Sequence, residues 1–351
     1  MEYMQRHGYE QFVACQEPSV GLRAFIAIHD TTLGPACGGV RIWPHPSEDD
    51  AIMDVLRLAR AMTYKSALAG LPLGGGKALI WADSRKDKSE ALLRAFGRFV
   101  DTLGGRYVTT EDVGMTPFDL EHIAQETEHV VGLPTSMGGS GDTSMMTGLG
   151  VYLGMKASAV AAWGSDSLEG RVVAMQGFGN VGANTARHLM GEGAQLIVAD
   201  TYEPALDRAR EIGATIVDPE AIYDTPCDVF SPCALGGALN GDTIPRLRCA
   251  IVAGGANNQL LADEDGDALH RRGILYAPDF AINAGGIINA AHEMGGAYRP
   301  ERAREVTERI FETIERVMQI SKGEDIPTYV AASRLAEHRL EAVRGLKAIS
   351  R

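Results

Sequence analysis

The stretch Arg171-Val172-Val173-Ala174-Met175-Gln176-Gly177-Phe178-Gly179-Asn180-Val181-Gly182 joins an apolar run to three glycines spaced Gly-x-Gly-x-x-Gly. Arg171 to Gln176 reads as a strand, and Asn180 to Met190 carries apolar residues at helical spacing, so the glycines form a strand-to-helix turn. A second strand, Gln195 to Ala199, ends at Asp200. This is the opening of a dinucleotide fold. Gly177 permits the tight turn, Gly179 lets backbone approach a pyrophosphate, and Gly182 allows close helix packing. The intervening Phe178, Asn180 and Val181 complete the turn. The helix N-terminus adds free N–H groups and the positive end of a dipole. Asp200 would accept hydrogen bonds from ribose hydroxyls and repel a 2′-phosphate, which selects NAD over NADP.

Outward from this unit, short apolar runs at Asp228 to Phe230, Ala250 to Ala253 and Ile274 to Tyr276 supply later parallel strands. A helix is predicted over about Ser144 to Trp163. The first third also alternates element types. Leu22, Ala24, Ile26 and Ile28 mark a strand with one apolar face. Ile52, Val55, Leu56, Ala59 and Met62 mark a helix over Glu48 to Ala67, opened by Ser47-x-x-Asp50 and ended by Leu71-Pro72. Ala78 to Trp81 reads as a strand, Ser89 to Leu103 as a helix, and Tyr107 to Thr109 as a strand. Gly132-Leu133-Pro134 and Gly138-Gly139-Ser140-Gly141 have linker composition, which puts a boundary near residue 134. Glu301 to Ser321 and Val330 to Lys347 are helical with no strand left to pair. The expected architecture is α/β: a first domain over 1–134, completed by 327–351 folding back onto it, and a Rossmann-type doubly wound domain over 135–326.

Composition narrows the function. The chain has 351 residues, 45% apolar and 23% charged, which suits a globular protein of two domains. Its net charge of −13 argues against nucleic acid and against anionic membrane surfaces. No apolar stretch is long enough to span a bilayer, and Met1 to Glu10 has no export signal, so a soluble cytoplasmic protein is expected. The five cysteines lack any Cys-x-x-Cys pair and the nine histidines lack His-Glu-x-x-His, so no metal site is predicted.

Gly74-Gly75-Gly76-Lys77 invites a phosphate-loop reading but fails it, since the glycine spacing is one residue too long and Ala78 stands where a Ser or Thr must bind magnesium. Lys77 instead sits where a glycine turn enters a strand. Lys65 follows Met62 on the mostly apolar face of the preceding helix. Partial desolvation lowers an ammonium pKa and makes a base. Asp112, at the end of a strand before Gly114, is a candidate proton carrier.

These residues occur within longer runs: IAIHDTTLGPACGG (Ile26 to Gly39), ARAMTYK (Ala59 to Lys65), LGGGKALI (Leu73 to Ile80), TEDVG (Thr110 to Gly114), CDVFSPCALGG (Cys227 to Gly237), GGANNQL (Gly254 to Leu260) and APDFAINAGG (Ala277 to Gly286). Together they closely resemble the Glu/Leu/Phe/Val amino-acid dehydrogenases, nearest to the leucine-specific branch, over almost the whole chain. The resemblance implies reversible, NAD-dependent conversion of an L-amino acid and water into a 2-oxo acid and ammonium. It makes Lys65 the cation for the substrate carboxylate, Lys77 the base that activates water, and Asp112 the proton shuttle to the substrate nitrogen. Asn258 reaches the substrate, and the backbone at Gly38 and Gly39 lies against the carboxylate. Arg41, Thr143, Thr147, Ala234, Leu235, Ala256 and Asn257 fall where the family touches the dinucleotide. Relatives form homo-oligomers, and Val330 to Arg351 is a candidate contact.

Cys37 stands where glutamate-specific relatives place a lysine, and the other implied wall positions, Thr110, Ile287 and Ala290, are uncharged. Burying a second carboxylate there without a partner would cost several kcal/mol, so the substrate side chain is expected to be apolar. Leucine relatives usually carry leucine, alanine and valines at these four positions. The smaller Cys37 and Ala290 keep a phenylalanine- or tryptophan-preferring enzyme as the alternative. A catalytically silent NAD-binding sensor would have no reason to keep Lys65, Lys77 and Asp112 together.

Overall fold

The computed structural model describes Met1 to Lys347, the last of these by its backbone alone. Ala348 to Arg351, the end of the expected subunit contact, lie outside the described residues. The chain divides into two compact units. The first holds Met1–Thr143, Ile287–Arg302 and the described chain from Ala336 onward; the second holds Ser144–Gly286 and Ala303–Leu335. The division therefore falls nine residues beyond the linker-based boundary near 134, and the chain re-enters the first unit twice, not once from 327.

The first unit is a five-stranded sheet of order β1-β2-β4-β3-β5. Its strands are β1 (Gln11–Glu17), β2 (Leu22–Asp30), β3 (Ala36–Ile42), β4 (Gly74–Ile80) and β5 (Tyr107–Glu111). β2 runs antiparallel to β1 and β4, whereas β3 is parallel to both β4 and β5. The strand predicted with one apolar face is buried on both. Phe25 and Ala27 meet Val55, Leu56 and Ala59 of the helix Glu48–Leu68, while Ala24, Ile26 and Ile28 join Leu92, Phe96 and Val100 of the helix Glu90–Asp101. Both helices start as their sequences suggest, with Ser47 Oγ accepting from the Asp50 N–H and Ser89 Oγ from the Leu92 N–H.

The glycines before Lys77 are part of β4 itself, a correction to the expected turn. A Cβ at Gly75 would lie 2.1 Å from Thr63 Oγ1, so its absence lets the helix Glu48–Leu68 press onto the strand. The last helix, Thr328–Lys347, belongs to the first unit from Ala336 on. There the Arg339 guanidinium donates to the carbonyls of Ala67 (2.7 Å) and Leu71 (2.8 Å), tying the last helix to the end of the Glu48–Leu68 helix and the turn that follows it.

The second unit is a six-stranded, wholly parallel sheet of order β11-β10-β9-β6-β7-β8. Its strands are β6 (Val172–Gln176), β7 (Gln195–Ala199), β8 (Thr215–Ile216), β9 (Val229–Pro232), β10 (Ile251–Val252) and β11 (Leu275–Tyr276). The chain winds outward from β6 in one direction through β7 and β8, then in the other through β9 to β11. That is the Rossmann topology, which puts its ligand crevice at the carboxyl ends of the strands beside β6 and β9. Among the described residues no helix is long and apolar enough to cross a membrane.

Candidate active site

Three parallel strands carry the first half of the candidate residues. Gly38 and Gly39 lie opposite Thr109 and Thr110 in the β3–β5 register, and Cys37 lies opposite Gly75 across the β3–β4 pair. A Cβ at Gly38 would stand 1.8 Å from the Gly76 carbonyl oxygen, and one at Gly39 would stand 2.3 Å from that of Glu111. Only glycine fits where the strands and their loops crowd this closely. Tyr107 Oη donates to the Gly38 carbonyl at 2.6 Å and fixes that strand from beneath.

Lys77 and Asp112 meet there. Lys77 Nζ lies 3.1 Å from Asp112 Oδ1, with the lysine buried to 5% exposure. Burial pulls the Lys77 pKa below the usual lysine value, Asp112 opposes that shift, and the nearby Arg41 charge adds to it. Asp112 is held at about 2, because the Lys77 and Arg41 charges outweigh the burial that would raise it. At neutral pH the carboxylate is therefore ionised, and it is held by both Lys77 and Arg41.

Arg41, expected among the dinucleotide contacts, has a different commitment in this structure. Its Nε donates to Asp112 Oδ2 at 2.8 Å and its Nη1 to Asp54 Oδ2 at 3.0 Å, and His45 Nε2 reaches the same Asp54 oxygen at 3.2 Å. The motif reading missed Asp54 and His45. A signal for Asp54 exists: it lies eleven residues before Lys65, close to three helical turns, so both project from one face of the helix Glu48–Leu68. Lys65 sits in the last turn of that helix, half-buried. The implied side-chain walls are closed to solvent, with Cys37 at 0%, Ala290 at 2%, Ile287 at 8% and Thr110 at 8% exposure. Burial pushes the Cys37 thiol up to about 12, with Lys77 opposing, so the thiol stays protonated and is not a nucleophile. Thr143 closes the first unit, half-buried.

The second unit assembles its candidates at the carboxyl ends of its strands. Gly177 follows β6 with φ of 92°, a left-handed conformation suited to glycine, and a Cβ there would meet Ala234 at 2.7 Å. At Gly182 a Cβ would meet the Gly177 carbonyl at 2.6 Å. Around Gly179 there is nothing within 4 Å, and it caps the helix Asn180–Gly191 with no side chain on the first-turn amides. Open space at a bare helix N-terminus is what a bound pyrophosphate requires, so these residues fit a dinucleotide. Asp200, after β7, accepts from the Phe178 N–H at 2.6 Å and the Tyr202 N–H at 2.8 Å, so it also braces the turn that carries Asn180 and Val181. Arg208 is nearer than its sequence distance suggests, with Nη2 at 3.3 Å from the Phe178 carbonyl.

Ala234 and Leu235 are exposed after β9, and Asn257 and Asn258 are exposed after β10 with Ala256 buried beside them. Thr147 is buried in the helix Ser144–Trp163. Asn258 takes a left-handed φ of 51°, and its carbonyl accepts from the Gly237 N–H at 2.7 Å. Two residues that the motifs did not single out hold this loop. Gln259 Nε2 donates to the carbonyls of Gly254 (2.7 Å) and Ala256 (3.0 Å), and Asn283 Nδ2 donates to Asn257 Oδ1 (2.9 Å).

Known proteins share this arrangement. The family model described as Glu/Leu/Phe/Val dehydrogenase, dimerisation domain, matches residues 10–129, and that of Glutamate/Leucine/Phenylalanine/Valine dehydrogenase matches 138–206 and 200–344. A leucine dehydrogenase of Geobacillus stearothermophilus is 55% identical over 98% of this chain and 94% of its own. A phenylalanine dehydrogenase of Thermoactinomyces intermedius is 45% identical over 99% and 96%. The crystal structure of L-tryptophan dehydrogenase from Nostoc punctiforme superposes with a TM-score of 0.86 at 46% identity, covering 98% of this chain and 99% of that one. Two family models spanning nearly the whole chain, with relatives this similar over their full length, place the protein in the Glu/Leu/Phe/Val dehydrogenase family.

Proposed function

We propose that this oxidoreductase deaminates an apolar L-amino acid, leucine or another branched-chain residue first, to its 2-oxo acid and ammonium, with NAD as cofactor. The observation that carries the reading is the buried Lys77–Asp112–Arg41 cluster. Lys65 binds the substrate carboxylate. Asp112, ionised and hydrogen-bonded, takes a proton from the substrate nitrogen, freeing its lone pair. Once hydride has left Cα, water attacks the iminium carbon. Lys77, its pKa lowered by burial and acting as the neutral amine, takes the water's proton. Asp112 returns its proton to the nitrogen, which leaves as ammonia when the carbonyl forms. The nicotinamide of a bound NAD would supply the acceptor for the hydride that leaves the substrate Cα. Gly177, Gly179, Gly182 and the first-turn amides would hold its pyrophosphate, and Asp200 its ribose.

The apolar walls support the substrate class, because Cys37, Thr110, Ile287 and Ala290 offer no cation to a second carboxylate. Small side chains at Cys37 and Ala290 favour the second reading, an enzyme that prefers phenylalanine or tryptophan. Steady-state rates with leucine, valine, phenylalanine, tryptophan and glutamate, followed by reduced-cofactor absorbance, decide between them. Leucine should give the highest kcat/KM and glutamate none that is measurable. Absence of turnover with every apolar amino acid would leave the silent sensor standing.

A further inference from the structure

The segment Ile287–Arg302 belongs to the first unit although the chain on both sides of it belongs to the second. Its attachment runs through one carboxylate. Glu293 accepts the Gly132 N–H on both oxygens (2.9 and 3.0 Å), the Ser140 N–H at 2.7 Å and the Leu133 N–H at 3.4 Å. Asn289, almost fully buried, adds a longer bond from Nδ2 to the Ser140 carbonyl and is itself held by the Tyr298 hydroxyl. A single side chain thus collects three amides on either side of the short 3-10 turn Thr135–Met137, which closes with backbone bonds of its own.

What these amides are attached to gives the clamp its meaning. Gly132, with φ of 86°, approaches Thr110 so closely that a Cβ would stand 2.6 Å from Thr110 Oγ1. Just before it, the Val131 N–H donates to the Thr109 carbonyl at 2.9 Å. The loop therefore backs the Thr110 wall. On the other side, Glu293 follows the helix Gly285–Ala291, which carries Ile287 and Ala290. The carboxylate ties the segment bearing two of the pocket walls to the segment behind a third, and its charge also reaches the Cys37 thiol.

We propose that Glu293 is a positioning residue for substrate selectivity: through the Gly132, Leu133 and Ser140 amides it sets Ile287 and Ala290 at a fixed spacing from Thr110. The proposal rests on the reading that these residues line the pocket for the substrate side chain. A loose clamp would let the walls drift apart, and a pocket of variable width discriminates poorly between side chains of different size.

The test uses the full-length protein and its Glu293→Gln and Glu293→Ala variants, read by amide hydrogen exchange and by kcat and KM for leucine, valine and phenylalanine. In Glu293→Ala, exchange at Gly132, Leu133 and Ser140 should quicken by at least about tenfold, since hydrogen bonds to a charged acceptor are lost. KM for leucine should rise about tenfold, more than kcat falls, and the leucine-to-phenylalanine ratio of kcat/KM should shrink several-fold. Glu293→Gln keeps one acceptor oxygen and should fall between. Where Glu293→Ala does not fold, Glu293→Gln and Tyr298→Phe, which loosens only the Asn289 tether, provide the same readings in milder form. Unchanged exchange overturns the clamp, and faster exchange with unchanged selectivity overturns the positioning role. If the wild-type protein turns over none of the amino acids, the functional reading fails and this proposal with it.

Discussion

Two glycine-rich regions of this protein use the same residue for opposite ends. In the turn Gly177 to Gly182, the middle glycine faces open space, and what it leaves out is room for a ligand. In the strands β3 and β4, Gly38 and Gly75 face protein atoms within about two ångströms of a missing Cβ, and what they leave out is room for the fold. The first kind leaves a helix N-terminus open on a short continuous segment. The second is a packing device that lets three strands and a helix converge until Lys77 and Asp112 meet. A glycine's role is therefore decided by what surrounds it, and substitutions in the two regions should fail differently.

The largest expected effect separates chemistry from cofactor binding. Lys77→Ala should lower kcat by about 10²- to 10⁴-fold, the range of a lost general base, while dinucleotide affinity measured by calorimetry stays near that of the wild type. Turnover within a few-fold of normal would remove Lys77 from the reaction.

The glycine contrast itself comes next. Gly38→Ala forces a methyl against the Gly76 carbonyl and should destabilise by about 3 kcal/mol or more, read as a fall in the denaturant midpoint. Gly179→Ala meets no protein atom, so stability should change by under about 1 kcal/mol while KM for the dinucleotide rises. Equal stability losses in the two variants would erase the distinction drawn here.

A smaller effect concerns cofactor choice. Asp200→Ser removes the charge that repels a 2′-phosphate and leaves Arg208 beside the Phe178 carbonyl, so NADP should gain about tenfold in kcat/KM relative to NAD. An unchanged ratio would mean that Asp200 serves only to brace the turn.

The smallest is a shift in pH dependence. Arg41 depresses the Lys77 pKa, so Arg41→Gln should raise it and move the rise in deamination rate to higher pH, by about one unit or less. A shift toward lower pH would contradict the assignment, because losing a neighbouring cation cannot make an ammonium more acidic.

The second unit was legible because its signals are local. Strand, glycine turn, helix, strand and terminal aspartate occupy Val172 to Asp200 without a break, and each is recognisable from its own few residues. Less of the first sheet could be read. The long runs pointed to Lys65, Lys77 and Asp112, but the strand signal of β3 is weak, since Gly38 and Gly39 interrupt it and leave only Val40 and Ile42 as strand formers. It is a strand because β4 and β5 supply its hydrogen-bond partners on both sides. β1, whose Phe12, Val13 and Cys15 join the apolar clusters, pairs with β2 along its whole length.

By itself, then, the amino-acid sequence determined the α/β class, the glycine turn of the Rossmann unit and the family, because each is encoded in contiguous motifs. Tertiary structure alone decided who touches whom. Arg41 reaches Asp112 across 71 positions of chain, and Glu293 reaches the Gly132 amide across 161. Neither end of such a contact carries a mark of its partner, and the bond exists only where the intervening chain folds so as to bring the ends together. Ile287–Arg302 shows the same limit at larger scale: it belongs to the first unit although the chain on both sides belongs to the second, and Glu293 and Asn289 bond to the 132–140 loop across about 150 positions.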